Sequence, residues 1–145
     1  YYTPHLQRPA AYPPSDGYQP PYDPLVDVGR QIDGVRQLKA HLPDGMAVIA
    51  SGLSYLQEYL PHVCQALLRE GWTDMVGLGR VVLSYPTILY DAIKQGKVEK
   101  RYICRTFSDC TTAPRNGLPS GCFPLDEYYS GSPLALDLKE RKKAG

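Results

Sequence analysis

Leu25, Val28, Ile32, Val35 and Leu38 recur at the spacing of one helical face, and Asp23-Pro24 before them reads as an N-cap followed by proline at the first helical position. A first helix is expected to run to about His41. Pro43-Asp44-Gly45 is a turn. Met46 to Ala50 is an apolar run of strand length without alternation, as expected of a strand buried on both faces, and Ser51-Gly52 ends it. Ser54 and Gln57 have the spacing of a capping box, and Leu60, Val63, Cys64, Leu67 and Leu68 continue an apolar helical face up to Gly71, with Pro61 breaking or restarting that helix. Trp72 to Gly77 reads as the second strand. After Gly79-Arg80, Pro86 and Gly96 mark the start and end of a further helix.

The order helix, strand, helix, strand, helix predicts parallel βα units, and two strands are too few for the sheet to close. From about Lys100 to Pro133 the sequence turns to Cys, Pro, Gly, Thr and Ser, which predicts a long irregular tail, with a short terminal helix over Leu134 to Lys143. Residues 1–24 hold seven prolines and five tyrosines, a composition that excludes a helix and predicts an ordered loop with rigid turns. The chain therefore divides into residues 1–99, α/β in character with 1–24 as its entry loop, and a cysteine-containing tail over 100–145.

The formal net charge is +1 with acids and bases intermixed, which gives no clustered basic face for nucleic acid. No apolar run approaches the roughly 20 residues that span a bilayer. The basic cluster Lys139-Glu140-Arg141-Lys142-Lys143 reads as a solvated tail. Four cysteines in 145 residues are too few for a disulfide scaffold, so reduced thiols in a cytoplasmic protein are the expectation, with a Cys110–Cys122 disulfide as the alternative. The start at Tyr1, without an initiating Met or a signal sequence, reads as a piece of something longer.

Two parallel strands that each open at the C-terminal end into a glycine-bearing turn form a phosphate site common in eight-stranded barrels. Backbone N–H groups in such turns bind phosphate, and glycine lets the backbone come close. Gly52 and Leu53 from one turn, with Gly79 and Arg80 from the next, are the candidate donors, and the Arg80 guanidinium could add a charge-assisted contact. The bland reading is that these glycines only permit tight turns.

Ala-Val-Ile-Ala-Ser-Gly-Leu at 47–53, Asp-Met-Val-Gly-Leu-Gly-Arg at 74–80, the following Tyr85-Pro86 and the cysteine-bearing tail together resemble the old yellow enzyme family of NAD(P)H:flavin oxidoreductases, in particular its 2,4-dienoyl-CoA-reductase-like branch. The resemblance covers nearly the whole chain but only the C-terminal part of that family's catalytic domain. It implies the C-terminal portion of a TIM (β/α)8 barrel, strands seven and eight with flanking helices, followed by the tail. It also implies FMN, its phosphate held at Gly52, Leu53, Gly79 and Arg80. Such enzymes pass hydride from NAD(P)H through FMN to activated alkenes such as α,β-unsaturated carbonyl compounds. The groups that polarise the substrate and supply its proton lie in earlier strands of the barrel. No catalytic residue is therefore assigned in this chain, which alone is expected to be inactive, to need the missing N-terminal barrel half as partner, and to self-associate through bare sheet edge and helix faces.

Some relatives in that branch hold a 4Fe–4S cluster through thiolates spaced C-x2-C-x3-C-x11-C. Cys110 and Cys122 match the last interval, but upstream only Cys104 is present, with Thr106 and Phe107 where a fourth thiolate would be expected. A cluster needs four ligands and Cys64 lies on an apolar helix face, so the count argues against a cluster, and the spacings fit no common zinc motif. No metal ligand is assigned. Tyr1, Tyr2, His5 and Arg8 would follow the sixth barrel strand on the face where substrate sits, with His5 a candidate proton donor, although loop packing accounts for them as well. Two other classes compete: a non-catalytic half-barrel module that binds a phosphorylated ligand or a partner half-barrel, and a metal-binding interaction module centred on the cysteines.

Overall fold

In the computed structural model, which describes residues 23–144, the first helix starts where local chemistry sets it. The Asp23 carboxylate accepts the Leu25 N–H at 2.7 Å, and Pro24 stands in the first turn of α1, Pro24–His41. Val28 is fully buried and Ile32 and Val35 half-buried, whereas Leu25 and Leu38 are about half exposed, so the apolar face is covered at its centre and bare at its ends. Asp27 is also buried. It is ion-paired with Arg30 at 3.5 Å, and neither of its oxygens has a hydrogen-bond partner among the described residues.

The strands are shorter than the apolar runs that announce them. β1 is Ile49–Ala50 and β2 is Met75–Val76, paired in parallel with Ile49 opposite Met75 and Ala50 opposite Val76. The ladder continues at both ends, as Val48 O accepts the Asp74 and Met75 N–H groups and Ala50 O accepts the Gly77 N–H at 2.7 Å. Thr73, buried beside it, fixes the register: its Oγ1 accepts the Ala50 N–H at 3.0 Å and lies 2.8 Å from Val48 O. Among the described residues these two strands form the whole sheet. Its faces differ. Val48 and Ala50 are buried on one, and Ile49 and Met75, 56% and 48% exposed, lie on the other.

The capping box over Ser54 and Gln57 does not form. Ser54–Tyr59 is a 3-10 segment with no side-chain cap, interrupted at Gln57, whose φ of 50° breaks the helical path. The α-helix α2 begins at Leu60 and ends at Arg69, with Pro61 in its first turn, so proline restarts the helix as expected. Leu60 and Leu67 are its buried residues. Helix α1 lies antiparallel to the strands, since Gln31 reaches Ser51 beyond the end of β1 and Lys39 reaches Asp74 before the start of β2. The span fits, because eight helical residues rise about 12 Å.

Residues 23–79 make one compact unit and 80–144 a second; the change of composition near residue 100 falls inside the second. That unit is more helical than a plain irregular tail. It contains α3, Val81–Ser84; α4, Ile88–Tyr90, which runs into a π turn over Asp91–Gln95; α5, Asp109–Arg115; α6, Glu127–Ser130; and α7, Pro133–Ala144. Gly96, left-handed at φ 68°, ends the π turn as the glycine signal predicts. Ala113, Leu118, Phe123 and Leu138 form a core against which Tyr129, Leu134 and Ala135 pack, and Lys142 pairs with Asp109 at 2.6 Å to tie α7 to α5. The entry loop, with Tyr1, Tyr2, His5 and Arg8, lies outside the described residues apart from Asp23 and Pro24. Among the described residues no helix is long and apolar enough to cross a membrane.

Candidate functional site

Because β1 and β2 are parallel, the turns that follow them emerge at the same end of the sheet, and Gly52, Leu53 and Gly79 belong to those turns. Gly77 lets the chains run close together: a Cβ there would sit 3.3 Å from Ile49 Cγ2. Gly52 has φ +79°, a left-handed conformation that excludes other residues without strain. The Gln31 side chain occupies the space a Cβ at Gly52 would need, and its Nε2 donates to Ser51 O at 2.6 Å. This clamp from α1 holds the first turn. Its partners are twenty residues apart in the chain, so nothing in the local motif announces it.

The turns leave donors open. The backbone N–H groups of Gly52, Leu53, Gly79 and Arg80 donate to no backbone acceptor among the described residues. Gly79 is exposed, and among the described residues nothing lies within 4 Å of the position its Cβ would take, so the main chain there is open to approach. The Leu53 side chain is buried and anchors its turn while its carbonyl accepts the Leu56 N–H at 3.0 Å. An exposed turn with unsatisfied N–H groups can accept an anionic oxygen.

Arg80 opens the second unit. Its guanidinium is half-buried and Nη1 donates to Ser108 Oγ at 3.3 Å, a partner that sequence reasoning did not anticipate. Tyr85, also part of the motif text, is fully buried. Its hydroxyl donates to Asp91 Oδ2 at 2.6 Å and accepts the Glu99 N–H at 2.9 Å, while Thr87 and Gln95 complete the shell around Asp91. Burial first, then the Asp91 carboxylate, pushes the phenol above its ordinary range, so Tyr85 holds its proton and serves as a structural donor.

All four cysteines are free thiols. Cys104, Cys110 and Cys122 line one pocket in the second unit, whereas Cys64 stands on α2 with its thiol pushed up by burial. Among the described residues no group of three or more His, Cys, Asp or Glu side chains is placed to hold a metal ion. Comparison with protein-family models, with curated proteins and with solved structures gave no match to this chain.

Proposed function

We propose that this chain is the C-terminal part of a cytoplasmic FMN-dependent oxidoreductase of the old yellow enzyme kind, which transfers hydride from NAD(P)H through FMN to an activated alkene. The observation that carries the proposal is the pair of parallel strands whose C-terminal turns both present backbone N–H groups without backbone acceptors among the described residues. FMN, when bound, supplies the hydride-transfer chemistry. The residues present fit its phosphate end: Gly52, Leu53 and Gly79 give main-chain donors at one end of the sheet, and the backbone of Arg80, next in the chain, adds another N–H. Gln31 keeps the Gly52 turn in its left-handed conformation and so orients those donors before any ligand arrives. The bare Ile49 and Met75 face supports the barrel reading, since barrel strands bury one face under outer helices and the other inside the barrel.

The same donors would serve a non-catalytic module that binds some other phosphate monoester, and one experiment separates the readings. In NMR spectra of the chain, FMN is expected to shift the amides of Gly52, Leu53, Gly79 and Arg80, while riboflavin, which lacks the phosphate, leaves them in place. Unmoved amides would refute the site. Shifts with inorganic phosphate as large as those with FMN would favour the simpler ligand module.

A further inference from the structure

Between Cys104 and Cys110 the backbone takes two left-handed turns on residues that rarely adopt them, Thr106 at φ 58° and Ser108 at φ 62°. A β-branched residue in that region is an outlier, and such conformations persist only where their surroundings hold them. Here the sulfur is part of what holds them. The Thr106 N–H donates to Cys104 Sγ at 3.4 Å, and the Ser108 hydroxyl donates to Thr106 O at 3.4 Å while it accepts from Arg80. Fully extended, this segment would separate its end residues by on the order of 20 Å. Curled, it sends both cysteines to the wall of one shallow pocket, which Arg80, Ser108 and Cys122 also line.

We propose that Cys104 and Cys110 form a reversible dithiol–disulfide site, in which Cys104 attacks a low-molecular-weight disulfide at the mouth of the pocket and Cys110 resolves the adduct. The chemistry balances with glutathione disulfide as oxidant. The Cys104 thiolate attacks one glutathione sulfur, the S–S bond of the oxidant breaks and one glutathione thiolate leaves. The Cys110 thiolate then attacks Cys104 Sγ and expels the second. Two electrons pass to glutathione, and the two cysteine protons end on the two glutathione thiols.

The surroundings divide the roles. Cys104 is only half-buried, with the Thr106 N–H on its sulfur, so an incoming disulfide can reach it. Burial raises the Cys110 thiol, partly opposed by the Arg80 guanidinium beside it, and a nearby cation suits the thiolate needed for the second attack. Cys122 is buried at 9% exposure, its thiol raised chiefly by burial, so it is closed off from an incoming disulfide. Cys64 lies in the other unit and serves as an internal control. Arg80 is shared with the proposed phosphate site, but the dithiol chemistry does not rest on the flavin reading.

The test is differential alkylation and peptide mass spectrometry of the full chain equilibrated in glutathione buffers of increasing oxidised fraction, with and without urea. The expected result is a Cys104–Cys110 cross-link that forms in the native chain at a lower oxidised fraction than in urea, before Cys64 or Cys122 is modified. Cys110→Ser should lose the cross-link and accumulate the glutathione adduct on Cys104. A cross-link that includes Cys122, adducts spread evenly over Cys64 and Cys104, or a native cross-link no more favourable than the unfolded one would overturn the proposal. The wild-type comparison decides even if the variant does not fold.

Discussion

Gly52 shows how one residue's conformation sets the candidate site. Its φ of +79° costs a side chain about 1–2 kcal/mol, and the Gln31 amide fills the space where that side chain would begin. Gly52→Ala should therefore destabilise the chain by more than the backbone strain alone, as measured by urea unfolding. Gln31→Ala removes the bond to Ser51 O, at a cost of about 0.5–1.5 kcal/mol. In the double variant the alanine at 52 no longer displaces Gln31, so its added cost should shrink toward the strain term. Additive costs would show that Gln31 does not clamp the turn. The glycine is visible in the sequence as a turn former, but its sign of φ and its partner are not. Both arise from a helix that ends before β1 begins.

At the scale of elements, β1 and β2 are held less by their own short ladder than by the side chains around it. The Asp74 carboxylate accepts the Val48 N–H at 2.7 Å and pairs with Lys39 at 2.7 Å, so it ties α1, β1 and the start of β2 together. The Lys39 hydrogen bond first, then the Val48 N–H, lowers its carboxyl below the ordinary value. A carboxyl whose folded value is depressed contributes stability that is complete above the unfolded value of about 3.9 and is lost as pH falls through the folded one. The Val48 amide resonance should therefore titrate at a pH below the ordinary carboxylate range, and Asp74→Asn should abolish that inflection. An inflection at or above the ordinary value would refute the assignment. Because the pair is partly exposed, salt should raise the inflection toward the ordinary range. Elements with local signals were legible in advance: the Asp23-Pro24 start, the Pro61 restart and the Gly96 stop each rest on the conformation of one or two residues. The Ser54–Gln57 box was misleading because the chain turns out of the helical path at Gln57, a choice that a spacing rule does not see. The core of Ala113, Leu118, Phe123 and Leu138 was legible only at Leu138, in the expected terminal helix, since Ala113 comes from a seven-residue helix and Leu118 and Phe123 from irregular turns, too brief to show a period.

For the whole chain, the sheet is where the fold and the proposed function meet. A two-stranded sheet is marginal unless more strands or a covering layer complete it. Here Ile49 and Met75, directly opposite each other, expose about half their surface, and among the described residues neither strand has a second neighbour. Val48 and Ala50, on the other face, are buried, so the covering is one-sided. Bare apolar side chains beside free strand edges favour association with another chain, and in the isolated protein the available chain is a second copy. We expect sedimentation velocity to show a mass that rises with protein concentration. Ile49→Glu combined with Met75→Lys places opposite charges across the same pair, which keeps the register while making the face polar. That variant should keep the helical circular dichroism of the parent and remain monomeric over the same concentrations. If the parent is already a concentration-independent monomer, the bare face is stable in water as it stands. The strands would then need no others, and the argument from this face to a larger barrel would fail, leaving the phosphate-binding module as the better account.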